Sequence, residues 1–213
     1  MHYKVIFIDW DGTLSSSRFW GRWNESPKHS SKYNLLQDVL FTSDEGKILL
    51  KDWMTGVKSY SNIIDYASNI TNIPYGDLEE ELRYSAENMK FIDKNTLGLI
   101  EKLKACGIKV VIATDNMDTF SKWTVPAMKL ESRFDDILVS DTLNAMKTHI
   151  SPEGVSLFFN DYLSRQGIEA NQSVLIDDNL NTKTVEQCGI NFLHVNKAES
   201  LTLHLKRILE KVH

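Results

Sequence analysis

The chain has 213 residues, enough for one medium domain or for a core carrying a smaller inserted module. Apolar residues make up 42% and charged residues 25%, the balance of an ordinary soluble globular protein. A net charge of −5 and a pI of about 5.7 give no general attraction for nucleic acid or an anionic membrane, and no apolar run approaches the ~18 residues of a membrane span, so neither partner is expected. Met1 to Ile8 runs straight into a strand pattern, which leaves no room for a signal peptide. Two lone thiols, Cys106 and Cys188, make neither a disulfide framework nor a zinc site, so a reducing cytoplasm is the expected compartment.

The first predicted element is Tyr3 to Asp9, YKVIFID. It is too short for a buried helix and rich in β-branched and aromatic side chains, so it reads as a buried strand. It ends in Asp9-Trp10-Asp11-Gly12-Thr13. Two carboxylates two residues apart can face one cleft, and Gly12 allows a sharp turn. The plain alternative is a loop of solvated acids. A calcium loop is disfavoured, because the regular oxygen ligands and bidentate glutamate do not follow.

From about Ser15 to Lys90 no buried strand is evident. Helical patterns run over Tyr33–Phe41, Gly46–Met54, Tyr60–Ile70 and Asp77–Met89, punctuated by Gly56 and Pro74. Ahead of them, Arg18, Arg22, Lys28 and Lys32 face one acid, Glu25, with Phe19, Trp20, Trp23 and Tyr33 interleaved. Either these aromatics pack the block and the cations are solvated, or the segment lies over Asp9 and draws in an anion through Arg18 and Arg22.

Strands and helices then alternate. Leu97, Ile100 and Leu103 share a helix face before Gly107, and Ile108–Thr114 follows as a strand. Its end, Thr114-Asp115-Asn116, offers a hydroxyl and backbone amides for phosphate oxygens, or simply a helix cap. The strand Asp136–Ser140 precedes Lys147, which is either a neutralising cation or a surface charge. Leu157, Phe158, Tyr162 and Leu163 suggest a helix ahead of Gly167. The strand Ser173–Asp177 ends in Asp177-Asp178-Asn179, which is either an acidic pair that needs a cation or proton against its own repulsion or simply a capped, exposed loop. Val185 and Cys188 precede Gly189, the strand Asn191–Val195 follows, and Leu201, Leu205, Ile208, Leu209 and Val212 mark the last helix.

This order predicts an α/β fold, a doubly wound parallel sheet with an inserted all-helical block. Residues 1–15 and 91–213 form the expected core and 16–90 the expected insertion. Ligands bind at the carboxyl ends of such strands, where the two acidic segments, the hydroxyl-bearing one and the lysine all lie.

Together these segments resemble the haloacid dehalogenase-like superfamily over roughly residues 3–14 and 92–213. Asp9, Asp11, Gly12 and Thr13 match its first motif, Thr114 its second, Lys147 its third and the Asp177-Asp178 pair its fourth. Thr148 stands where proline often follows the lysine, and Thr182 where many members carry another acid. The helical block matches the family's cap, set on a Rossmann-like core. The resemblance implies a Mg2+-dependent phosphohydrolase. Asp9 is the nucleophile and Asp11 the general acid and then base. Mg2+ lies between Asp9, the Asp11 carbonyl and Asp178, with Asp177 behind, and Thr114 and Lys147 hold the charge of the transition state. Gly12, Asp115, Asn116, Arg18 and Arg22 are the candidates for contacting the phosphate or the rest of the substrate. Dehalogenase members lack the acid at the position of Asp11. The expected substrate is a small phosphorylated metabolite, such as a sugar phosphate or phosphoglycolate, with the chain a monomer or homodimer. A phosphotransferase or mutase uses the same residues, and a non-catalytic binding protein keeps the same fold.

Overall fold

In the computed structural model, which describes residues 3–212, five strands form one parallel sheet. They are β1 (Val5–Ile8), β2 (Lys109–Thr114), β3 (Asp136–Val139), β4 (Ser173–Asp177) and β5 (Asn191–His194), in the spatial order β3-β2-β1-β4-β5. All five expected strands are present within a residue or two. Alternation along each strand sorts the core into two layers. Ile6, Ile8, Val110, Ile112, Val174 and Ile176 point to one face, against Leu99, Ile100, Leu103, Leu205 and Ile208. Val5, Phe7, Val111, Ala113 and Leu175 point to the other, against Phe158, Phe159, Tyr162 and Val185. Both faces are covered, which is why the strands are apolar throughout.

Between β1 and β2 come α1 (Gly21–Glu25), α2 (Ser30–Leu36), a π-helical turn (Gln37–Thr42), α3 (Asp44–Met54), α4 (Tyr60–Thr71), α5 (Tyr75–Glu87) and α6 (Asn95–Ala105). The later helices are α7 (Val125–Met128), α8 (Ser140–Leu143), α9 (Asn160–Gln166) and α10 (Leu201–Glu210). Among the described residues, no helix is long and apolar enough to cross a membrane.

Some sequence expectations shift. The run from Tyr33 to Phe41 does not stay α-helical but widens into the π turn at Gln37. Gly46 packs beneath that turn: a Cβ there would lie 2.2 Å from the Val39 carbonyl oxygen. The helix expected to include Leu157 and Phe158 begins only at Asn160, and Leu157 is exposed. Phe158 and Phe159 enter the core from the preceding turn instead, where Ser156 Oγ accepts the Phe159 N–H at 3.2 Å.

The helical block has its own apolar cluster, in which Trp20, Leu36, Leu40, Trp53, Ile63, Ile64, Leu78 and Leu82 are fully buried. Met117 and Trp123, which follow β2, complete that cluster, so the sheet unit supplies part of the block's core. Asp118 clasps the block from below, accepting Trp53 Nε1–H at 2.6 Å and the Tyr60 N–H at 3.1 Å. The chain segments that enter and leave the block run antiparallel, Ser15 beside Phe91, with the Ile92 N–H donating to the Leu14 carbonyl at 2.9 Å.

Candidate active site

The strand register decides which side chains meet. Ile8, the last residue of β1, pairs with Ile112 on one side and Ile176 on the other, so β1, β2 and β4 end within two residues of one another. Asp9 and Asp177 follow directly and Thr114 follows one position later, so all three emerge at one edge of the sheet. All three are buried.

Lys147 sits between the first and last of these. Its Nζ is 2.6 Å from Asp9 Oδ1 and 2.6 Å from Asp177 Oδ2, and its side chain is 3% exposed. It arrives from the loop after α8, and Asp115 Oδ1 fixes that loop by accepting the Lys147 N–H at 2.8 Å. Burial alone pushes the ammonium down, but the carboxylates of Asp9, Asp177 and Asp115 outweigh it and hold Lys147 charged, above the ordinary lysine range. Asp9 feels the opposite balance. Burial pushes its carboxyl up to about 8, with Asp177 adding to the push and Lys147 pulling against it.

Asp11 lies two residues on, at the open side. Desolvation by the surrounding walls raises its carboxyl above the usual range, Arg18 pulls it down and Asp178 pushes it up. Thr114 Oγ1 accepts from Asn116 Nδ2 at a long 3.4 Å, which leaves its proton to donate elsewhere.

Three expected contacts turn out differently. The Gly12 N–H is spent on the Ser15 carbonyl at 2.7 Å and the Asn116 N–H on Ser140 Oγ at 2.9 Å, so neither amide faces an incoming oxyanion. The service of Gly12 is space: its φ is +78°, and a Cβ there would lie 2.1 Å from Asp178 Oδ2. Arg22 does not reach the site. Its Nε donates to Glu81 Oε2 at 2.6 Å, and its guanidinium lies 4.2 Å from the centre of the Tyr84 ring, within the helical block.

The site also fits a cation. Asp9, Asp177 and Asp178 each offer an oxygen, all within 4.8 Å of one another. Lys147 is the one ammonium placed among them, so negative charge is left over for a hard, oxygen-seeking cation. Asp177 is already committed: Oδ2 receives Lys147 and Oδ1 receives the Asn179 N–H at 2.8 Å. Asp9 and Asp178 are therefore the better ligands. Thr182, where a further acid was looked for, turns inward and donates to the Asn179 carbonyl at 2.6 Å.

A cavity of about 300 Å³ opens above the acids, between the sheet edge and the helical block. Asp11, Arg18, Asp115 and Asn116 stand at its polar end. Trp10, Phe19, Met89 and Met117 flank it, and the helical block closes it with Tyr33, Gln37, Phe41, Leu50 and Met54. Sequence reasoning placed Tyr33 in a segment that could lie over Asp9 but missed the rest of this wall, because Phe41, Leu50 and Met54 read only as helix-packing apolars and nothing singled out Gln37. It also missed Ser140 and His194, whose Nε2 lies 2.9 Å from the Asp178 carbonyl, whereas Thr13, already read as part of the first motif, accepts the Asp178 N–H through Oγ1 at 3.1 Å. A threonine following an Asp-Gly turn was signal enough for Thr13. Nothing local marks the other two.

Comparison with known proteins gives a consistent result. Residues 56–195, about two thirds of the chain, match the family model described as haloacid dehalogenase-like hydrolase. No curated protein matches the sequence. Among solved structures, a HAD family enzyme from Bacteroides thetaiotaomicron in complex with magnesium and inorganic phosphate aligns over 95% of this chain and 98% of its own, at 17% identity and a TM-score of 0.64. A predicted HAD-like family hydrolase from Porphyromonas gingivalis aligns over 98% of both chains, at 16% identity and a TM-score of 0.68. An L-2-haloacid dehalogenase from Xanthobacter autotrophicus, with chloropropionic acid covalently bound, aligns over 98% of this chain and 83% of its own, at 11% identity and a TM-score of 0.64. At these identities the likeness is one of fold.

Proposed function

The chain belongs to the haloacid dehalogenase-like hydrolases, and from that premise we propose that it is a phosphomonoester hydrolase working through an aspartyl-phosphate on Asp9. The observation that carries this reading is the pair at the end of β1. Asp9 is buried against Lys147, while Asp11, with its carboxyl raised by desolvation, lines the cavity where a leaving group would sit.

In the first half-reaction an Asp9 oxygen bonds to phosphorus, the P–O ester bond breaks, and Asp11 gives its proton to the departing alkoxide. In the second, Asp11 takes a proton from a water that bonds to phosphorus, which frees Asp9 and inorganic phosphate. Lys147 and the Thr114 hydroxyl hold the charge that spreads over the phosphoryl oxygens, the main task of a protein in such a reaction. A magnesium ion held by Asp9 and Asp178, with the Asp11 carbonyl, would supply the positive charge that lets an anionic nucleophile meet an anionic ester. The magnesium and phosphate in the Bacteroides enzyme of the same fold support that choice.

A second reading comes from the Xanthobacter dehalogenase of the same fold. Displacement of halide from carbon by Asp9 would use the same lysine. Halide leaves without a proton, however, which gives Asp11 no task as an acid. The test is to follow inorganic phosphate released from p-nitrophenyl phosphate with Mg2+, and chloride from 2-chloropropionate. Phosphate release that stops in EDTA and in Asp9→Asn is the expected result. Chloride release without phosphate release would replace the phosphatase with a dehalogenase.

A further inference from the structure

We infer that the substrate is the phosphate ester of an uncharged, ring-bearing alcohol, rather than of a polyol or a hydroxy acid. This rests on the phosphatase reading above and narrows it.

The distribution of charge along the cavity is the first reason. Arg18 is the one cation among its lining residues, against Asp11 and Asp115. It stands at the polar end with Asp11 and Asp115. This cation is therefore on the side of the cavity toward the acids and not at the far wall. The far end holds no charge to meet a second anion, so a carboxylate on the leaving group would be buried there unpaired, which costs heavily.

The far wall is the second reason. Tyr33, Gln37 and Phe41 are spaced four residues apart, so they line one side of the continuous α2 and π-helical rod. Leu50 and Met54 do the same from α3. With Trp10 and Phe19 opposite, four aromatic rings and two aliphatic side chains enclose a space of about 300 Å³. A polyol there would lose water from several hydroxyls and find few partners. The Gln37 carboxamide is the main polar group of that wall. The Gln37 backbone N–H donates to the Tyr33 and Asn34 carbonyls and its carbonyl accepts from Thr42 Oγ1 at 3.2 Å, while among the described residues its carboxamide meets no partner. Its side chain is thus left to meet one donor or acceptor on a flat occupant. A cavity with apolar walls and a few placed polar groups selects a ligand of matching pattern.

Three primary alkyl esters test this, because their leaving alcohols differ little in basicity: 2-phenylethyl phosphate, glycerol 3-phosphate and phosphoglycolate. The expected kcat/KM for 2-phenylethyl phosphate is about 10–100-fold above either of the others, the discrimination that burying one ring against such walls gives. Phe41→Gln and, independently, Met54→Gln should shrink that ratio at least several-fold. Asp9-dependent turnover that favours glycerol 3-phosphate or phosphoglycolate, or a ratio unmoved in both variants, overturns the inference and leaves the phosphatase reading standing. Absence of Asp9-dependent phosphate release from these esters and from p-nitrophenyl phosphate overturns the phosphatase reading itself, and the inference with it.

Discussion

The sheet edge and the helical block are built on different physical terms. At the sheet edge almost every polar group is committed. Lys147 is shared by Asp9 and Asp177, Ser140 exchanges two hydrogen bonds with the Asn116 backbone, and Thr13 holds the Asp178 amide. Such a closed network of buried charges tolerates little displacement, because each broken contact strands a charge in a low-dielectric place. The helical block is held by aromatic and aliphatic burial, and its side facing the cavity is left open. Apolar packing is non-directional and can be redrawn around a different ligand at small cost. Under the proposed reading, chemistry is fixed in one region and selectivity is written in the other.

The sharpest way to break this comparison is Asp9→Asn. The side chain keeps its shape, so the fold should survive with Tm within a few degrees, while kcat falls by about four orders of magnitude or more. Circular dichroism alongside phosphate release separates the two. A variant that retains near wild-type activity would show that the sheet edge does not carry the chemistry.

Asp11→Asn should cost about 10²–10⁴-fold in kcat with an alkyl phosphate. With p-nitrophenyl phosphate the loss in the first half-reaction should shrink, because that leaving group needs less help from a proton. Pre-steady-state release of p-nitrophenolate measures it, and equal losses for both esters would remove Asp11 as the acid.

Gly12→Ala probes how tightly the edge is packed. The new methyl collides with the Asp178 carboxylate at a backbone angle that favours glycine, so Asp178 must move. The Mg2+ concentration for half-maximal activity should rise about 10–100-fold, the scale on which misplaced ligand support weakens metal sites. An unchanged Mg2+ requirement would mean that Asp178 does not hold the ion.

The smallest effects separate two arginines four residues apart. Arg18→Ala should raise KM by about tenfold, with the difference narrowing as salt is added. Arg22→Ala should leave KM alone and instead lower stability by ~1–2 kcal/mol, since Glu81, 1% exposed, loses its partner while the half-exposed Arg22 was partly screened by water. Urea unfolding and steady-state kinetics on both variants decide it. The reverse pattern would place Arg22, not Arg18, at the substrate.

The two regions were also unequally legible. At the sheet edge, an apolar run ending in acid or threonine gave β1, β2 and β4 together with Asp9, Thr114 and Asp177, because strand length and a turn residue are local facts. Lys147 was singled out by the family resemblance, since a lone lysine after a strand reads as a surface charge and nothing local says that it will be buried. In the helical block the helices were legible from their apolar periodicity, but the role of each face was not. Tyr33 and Phe41 look like the core residues around them, and Arg22 looks like Arg18.

The sequence by itself determined the strand order's raw material: which segments are buried, where each stops, and that the stops carry acids, a hydroxyl and a lysine. Those properties depend on neighbours a few positions away. Only the tertiary structure decided that β1 lies between β2 and β4 in level register, which brings Asp9, Lys147 and Asp177 within 2.6 Å contacts. It also decided that Glu81 captures Arg22 while Arg18 is left at the cavity. Partners such as Arg22 and Glu81 stand 59 positions apart, and their pairing is set by how helices pack, which no local pattern in the chain encodes.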